Sequence, residues 1–258
     1  MNEFVKAIIL GAIQGATEFL PVSSSGHLMA AERVLGFEAH VLPFEVALHL
    51  ATLGAVFIYF ARYLWNLLRS SDRWPIGLRV VIGTIPAGII GMAFEKYRDE
   101  LSLWVVVVGW LLSGTYLLLT RREGISTAVN TSLPNSFLIG GSQGIAAVIP
   151  GFSRSGASIA SGLWLGLKRE EAFRFSFLLA IPVILGAGLV EGRKLFGHGA
   201  VEIPGGWPAL AAAMLVAFAV GLLAIHILFK AVTGRHFHRF GWYNLSAAAL
   251  FAIYLLTH

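Results

Sequence analysis

The chain has no cysteine, which excludes disulfide bonds and leaves no redox compartment to read. Charge is nearly as scarce: Asp, Glu, Lys and Arg make up 13% of 258 residues, about half the usual share of roughly 25% in soluble domains. No basic stretch leads into a small-residue cleavage site at the N-terminus, and the first apolar stretch holds Gln14 and Glu18. It reads as mature protein, not a signal peptide. Apolar residues fill the space: 57% of the chain is hydrophobic and mean hydropathy is +0.75. This excludes an ordinary soluble globule and predicts an integral membrane protein.

Apolar runs near 44–61, 77–94, 103–120, 173–190, 208–229 and 240–256 each approach the roughly 17–25 residues of a spanning helix, so six full spans are expected. The net charge of +5 does not imply nucleic acid, because the basic residues lie between spans. Arg62, Arg69, Arg73 and Arg79 stand against Asp72 alone, the signature of a cytoplasmic loop. Alternation then places 95–100 and 191–207 outside, Arg121, Arg122, Lys230, Arg235 and Arg239 inside, and both termini outside.

One polar pattern occurs twice. Gln14-Gly15, Pro21, Ser23, Ser25, Gly26 and Leu35-Gly36 return as Gln143-Gly144, Pro150, Ser153, Ser155, Gly156 and Leu165-Gly166. Each copy lies in segments too short and too interrupted by Pro, Gly and Ser to cross a bilayer: 6–20 with 27–35, and 137–149 with 157–167. Such segments read as re-entrant helical hairpins, since irregular backbone at membrane depth survives only against protein or a water-filled cavity. The expected fold is an all-α polytopic membrane protein, one domain over 1–258 with repeats of about 1–122 and 130–258. Each half is one hairpin plus three spans, and the odd number makes the repeat inverted, with a site between the hairpin tips.

The copies differ where chemistry would sit. The first carries Glu18 and His27; the second has Ala147 and Ala157 there and gains Arg154. Gln14 and Glu18 share a helix face, and a carboxylate at membrane depth costs roughly 2.5–3.5 kcal/mol unless it meets a cavity or cation. Glu18 is therefore a candidate metal ligand or acid/base, with Gln14 offering a carbonyl oxygen. Ser23, Ser24, Ser25 and Gly26 form a turn into a helix N-terminus suited to phosphate, where His27 could be acid/base or nucleophile. Arg154 matches phosphate oxygens with a planar fork, and Ser153, Ser155 and Gly156 complete a cradle. A salt bridge from Arg154 to Glu18 is the plainer alternative. Gln143, Glu45 and His49 are candidates to orient these groups or simply to pack, and Lys168, Arg169, Glu170 and Glu171 read as a solvated loop.

The stretches Gln14 to His27 and Pro150 to Gly156 resemble the bacterial undecaprenyl pyrophosphate phosphatases, also known for bacitracin resistance, and the span pattern extends the resemblance along the chain. It implies hydrolysis of undecaprenyl diphosphate to undecaprenyl phosphate, at a site open to the outer face of the cytoplasmic membrane and dependent on Mg or Ca. Glu18 and Gln14 would serve the metal, Ser24 and His27 the nucleophilic and acid/base work, and Arg154, Ser153 and Ser155 the diphosphate. Many members carry Glu where this chain has Gln14, which shifts the burden to Glu18. The rival expectation is a transporter or flippase of a prenyl phosphate or small anion. Partners implied are the polyprenyl diphosphate and the membrane, with no nucleic acid and a homodimer left open.

Overall fold

The computed structural model describes residues 2–36, 42–94, 101–122, 128–195, 203 and 205–257. Eleven helices are found among them: α1 Glu3–Phe19, α2 Ser24–Leu35, α3 Leu42–Tyr59, α4 Ala61–Arg69, α5 Arg73–Phe94, α6 Trp104–Leu119, α7 Leu133–Val148, α8 Arg154–Trp164, α9 Arg169–Leu195, α10 Gly206–Thr233 and α11 Phe240–Thr257. Helices alone can satisfy their own backbone in lipid, and this is a multi-pass membrane protein. Four helices are long and apolar enough to cross a membrane, and five when α3 and α4, bent by 63° at their junction, count as one.

The sixth expected span differs. At 16 residues, α6 is about 24 Å long, short of the roughly 30 Å hydrocarbon core. The basic stretch 62–79, expected as a loop, is largely helical: α4 is amphipathic, and Arg69 lies over the Trp65 ring at 4.2 Å. Arg169, Glu170 and Glu171 are likewise not in a loop. They begin α9, where Arg174 pairs with both glutamates. The expected outer segment 95–100, and residues 196–202 and 204 of the 191–207 connection, lie outside the described residues, while 191–195 continue α9.

Both expected hairpins form, and their serines set where the second arms begin. Ser23 and Ser153 each accept a hydrogen bond from the backbone N–H three residues on, of Gly26 and Gly156. These are N-caps that satisfy an otherwise orphan donor. Each second arm is followed by a glycine with positive φ, Gly36 at +56° and Gly166 at +88°, conformations that residues with a Cβ rarely adopt.

The long arm of each hairpin packs on a helix of the other half, α1 on α10 and α7 on α5. The cause is a pair of matched glycines. Gly11 and Gly15 lie against the Ala213 and Ala217 backbone, and Gly140 and Gly144 against Gly83 and Ala87. Small residues four apart let helices approach until backbones touch, which drives helix association in lipid. A methyl at Gly140 would overlap the Gly83 carbonyl, whereas Gly77 has open space around it. Gly140→Val should therefore lower the unfolding midpoint in detergent by several degrees, the scale of overpacking by about 1–3 kcal/mol, while Gly77→Ala leaves it unchanged.

Candidate active site

The two tips interlock. Gly151 N donates to Ser23 Oγ at 3.1 Å, Ser155 Oγ to the Leu20 carbonyl at 3.4 Å, and Trp110 Nε1 to the Val22 carbonyl at 2.9 Å. Asn244, fully buried on α11, donates through Nδ2 to the Pro21 carbonyl (2.8 Å) and to Ser113 Oγ (3.2 Å). Ser113 Oγ also receives Ser153 N at 3.4 Å. Polar groups in a low-dielectric interior are costly unless paired, so these bonds fix the tips against one another. A methyl on Gly26 would come 2.9 Å from Gly151 Cα, so that glycine permits the contact. Ser23 has φ +70°, a strained value for a residue with a side chain.

Around this frame, α1 and α8 bring Glu18 and Arg154 together. Glu18 is buried and accepts from Arg154 Nη2 through Oε1 at 2.6 Å. Its Oε2 accepts from Ser24 Oγ at 2.6 Å and from Gln14 Nε2 at 3.1 Å. His49 approaches from α3, with Nε2 3.7 Å from Oε2. Gln14 Oε1 is buried with no hydrogen-bond partner among the described residues. Among the described residues no three of His, Asp and Glu gather to hold an ion, so an ion here would need the Gln14 carbonyl oxygen beside Glu18.

A small cleft opens beside the pair, lined by the polar residues Glu18, Arg154, Gln143, Ser155 and Ser176 and by the apolar residues Phe19, Phe177, Ala180 and Ile184. Charged and apolar lining in one cleft suits an amphiphile with an anionic head. The Ser24 hydroxyl, hydrogen-bonded to a carboxylate that a cation orients, has the arrangement of an activated nucleophile beside its base.

Glu18, Gln14, Ser24 and Arg154 thus meet directly, with Ser155 and Gln143 at the cleft wall. Ser23, Ser153, Gly26 and Gly156 serve the tips instead, as caps and as close-approach points. Ser25 is exposed, with its Oγ 3.2 Å from Ser23 Oγ. His27 turns elsewhere: its Nδ1 lies 2.8 Å from the Ser23 carbonyl, its Nε2 lies 2.8 Å from Tyr243 Oη, and its ring stands edge-on to Trp110. The plainer expectation for Arg154, an ion pair with Glu18, is present, and it is also what places both groups in the cleft.

Sequence reasoning passed over Asn244, Ser113, Ser176 and Tyr243. A lone Asn inside an apolar span is an expensive residue, and that was the available signal for Asn244.

A family model described as "Bacitracin resistance protein BacA" matches residues 7–250. The undecaprenyl-diphosphatase of Trichlorobacter lovleyi is 38% identical over 99% of this chain and 100% of its own length. That of Desulfosudis oleivorans is 40% identical over 93% and 94%, and that of Hahella chejuensis 35% over 98% of each. On a match that runs through both hairpins and nearly the whole length, the chain belongs to the bacitracin resistance protein BacA family.

Proposed function

We propose that the protein is an undecaprenyl-diphosphate phosphatase, hydrolysing undecaprenyl diphosphate to undecaprenyl phosphate and inorganic phosphate and so recycling the lipid carrier of cell-wall synthesis. The observation that carries this reading is the meeting of Ser24, Glu18 and Arg154 at the mouth of a half-apolar cleft. The diphosphate lies at Arg154 and the first isoprene units run along Phe19, Phe177, Ala180 and Ile184.

Phosphoryl transfer needs positioning and charge neutralisation above all. Ser24 Oγ attacks the terminal phosphorus and its proton passes to Glu18. The bond to the bridging oxygen breaks, undecaprenyl phosphate departs, and Arg154 neutralises the oxygens as charge builds. Glu18 gives up that proton to water; a water molecule then attacks the phosphoserine, passing a proton to Glu18, which returns it to the departing Ser24 oxygen, giving inorganic phosphate and restoring Ser24. In this reading His27 is a positioning residue, acting on the tip through the Ser23 carbonyl. Gln14 and Glu18 suit a divalent cation, Mg or Ca, because an unpartnered buried carbonyl oxygen beside a carboxylate is a hard oxygen pair, and Mg typically completes its shell with water and substrate phosphate. When bound, such an ion supplies charge neutralisation on the diphosphate.

The same reading makes the fold an inverted repeat of six spans, α6 included, with halves of about 1–122 and 130–258. Matched glycines on α1 and α7, each seated on the opposite half, support it. The first hairpin dips from outside and the second from the cytoplasm, so the site faces outward across the cytoplasmic membrane and both termini lie outside. A reporter active only in the cytoplasm, fused after Arg73, should be active; an inactive fusion reverses the orientation.

Purified protein in detergent, without membrane potential or second compartment, should release phosphate from undecaprenyl diphosphate with Mg or Ca present and lose that activity in chelator. Absence of release under any of these ions would move the reading to a lipid carrier or flippase, which needs no chemistry at Ser24.

A further inference from the structure

The described contacts leave one imidazole at the centre of the site without a role. His49 Nδ1 lies 2.9 Å from the Glu45 carbonyl oxygen. A carbonyl only accepts, so Nδ1 carries the hydrogen and the neutral ring presents its Nε2 lone pair. That is how histidines that bind metals are held: one nitrogen donates to a backbone carbonyl, which fixes tautomer and ring orientation, and the other is free to ligate. The free nitrogen faces Glu18 Oε2 at 3.7 Å. This is too long for a hydrogen bond and close to the roughly 3.4 Å between two tetrahedral ligands each about 2.1 Å from one ion. Gln14, whose Nε2 is bonded to the same Oε2, keeps a buried Oε1 with no partner.

We propose that His49 is a nitrogen ligand in a mixed site with Glu18 and Gln14, which gives this chain a preference for a first-row transition ion, Mn²⁺ included, over Mg²⁺ or Ca²⁺. The inference rests on the cation reading above and adds to it. Where a second carboxylate is missing at Gln14, an imidazole replaces part of the lost donor strength. Carboxylate and carbonyl oxygens alone suit Mg, Ca and Mn, whereas an imidazole raises affinity for transition ions and does little for Mg or Ca.

The test uses whole protein in detergent, stripped of metal and loaded with Mn²⁺ in the presence of methylenediphosphonate, an uncleavable diphosphate. Electron spin echo modulation should show nitrogen bound directly to Mn²⁺, with the pattern changing when the protein is grown on ¹⁵N-histidine. His49→Gln should lose that modulation and bind Mn²⁺ about 10-fold or more weakly, with Ca²⁺ affinity changed by less than about 3-fold. Mn²⁺ bound with no nitrogen modulation, or with modulation that persists in His49→Gln, overturns the His49 assignment and leaves the cation reading standing. No saturable binding of Mn²⁺, Mg²⁺ or Ca²⁺ overturns both. The labelled wild-type measurement stands even if the variant fails to fold.

Discussion

Glu18→Gln should abolish most phosphate release, a loss of about 10³-fold or more, because one carboxylate serves several groups at once. It accepts from Arg154, Ser24 and Gln14, and removing a positioned proton acceptor alone typically costs 10²–10⁴-fold. The change also leaves the Arg154 guanidinium, 24% exposed, without its counter-charge, and a broken buried pair costs up to about 3–5 kcal/mol. Loss of activity and loss of stability can be separated. In Glu18→Gln/Arg154→Met the stranded charge is gone, so the unfolding midpoint in detergent should recover most of what the single change lost, while phosphate release stays at background. Recovery of activity in the double variant, or a single variant within tenfold of wild type, would show that the pair is only a structural tie.

Ser24→Ala is the second large effect. The attacking oxygen disappears while Glu18 and Arg154 keep each other, so stability should change little and phosphate release should fall by about 10³-fold or more, as when one member of a nucleophile–base set is removed. Rapid quench with substrate labelled in its terminal phosphate should leave label on Ser24 of the wild type and none on the variant. His27→Ala should lose less activity and still trap the phosphoserine, because His27 reaches the site through the Ser23 backbone. Label recovered on His27 would transfer the nucleophilic role to it.

Much of this candidate site was legible in the chain because one polar pattern occurs twice, which gives a template for reading differences. Matching Ala147 and Ala157 to Glu18 and His27 marked the exceptional residues, and the lone Arg154 in the second copy named its counterpart. The meeting of Glu18 and Arg154 followed from the cost of leaving either unpaired at membrane depth. Other features depended on information that no local pattern holds. His49 and Glu45 sit four apart on α3, which orients the ring, but the approach to Glu18 depends on how α3 lies against α1. The same is true of His27: its place in the motif suggested acid/base work, whereas its partners Tyr243 and Trp110 come from distant helices. The bend between α3 and α4 at Phe60 was hidden because an apolar run reports hydrophobicity and says nothing of direction. The length of α6 was hidden for a related reason: the apolar run 103–120 includes residues that do not belong to the helix Trp104–Leu119.

The Asn244 bond to the Pro21 carbonyl joins residues 223 positions apart, and this has a consequence for the order in which the protein is made. Pro21 leaves the ribosome 223 residues before its partner does. Until α11 arrives, that carbonyl and Ser113 must find water or a temporary partner, and the tip cannot hold its final shape. The frame around the site is therefore closed by α11, which reaches back to a turn made long before it.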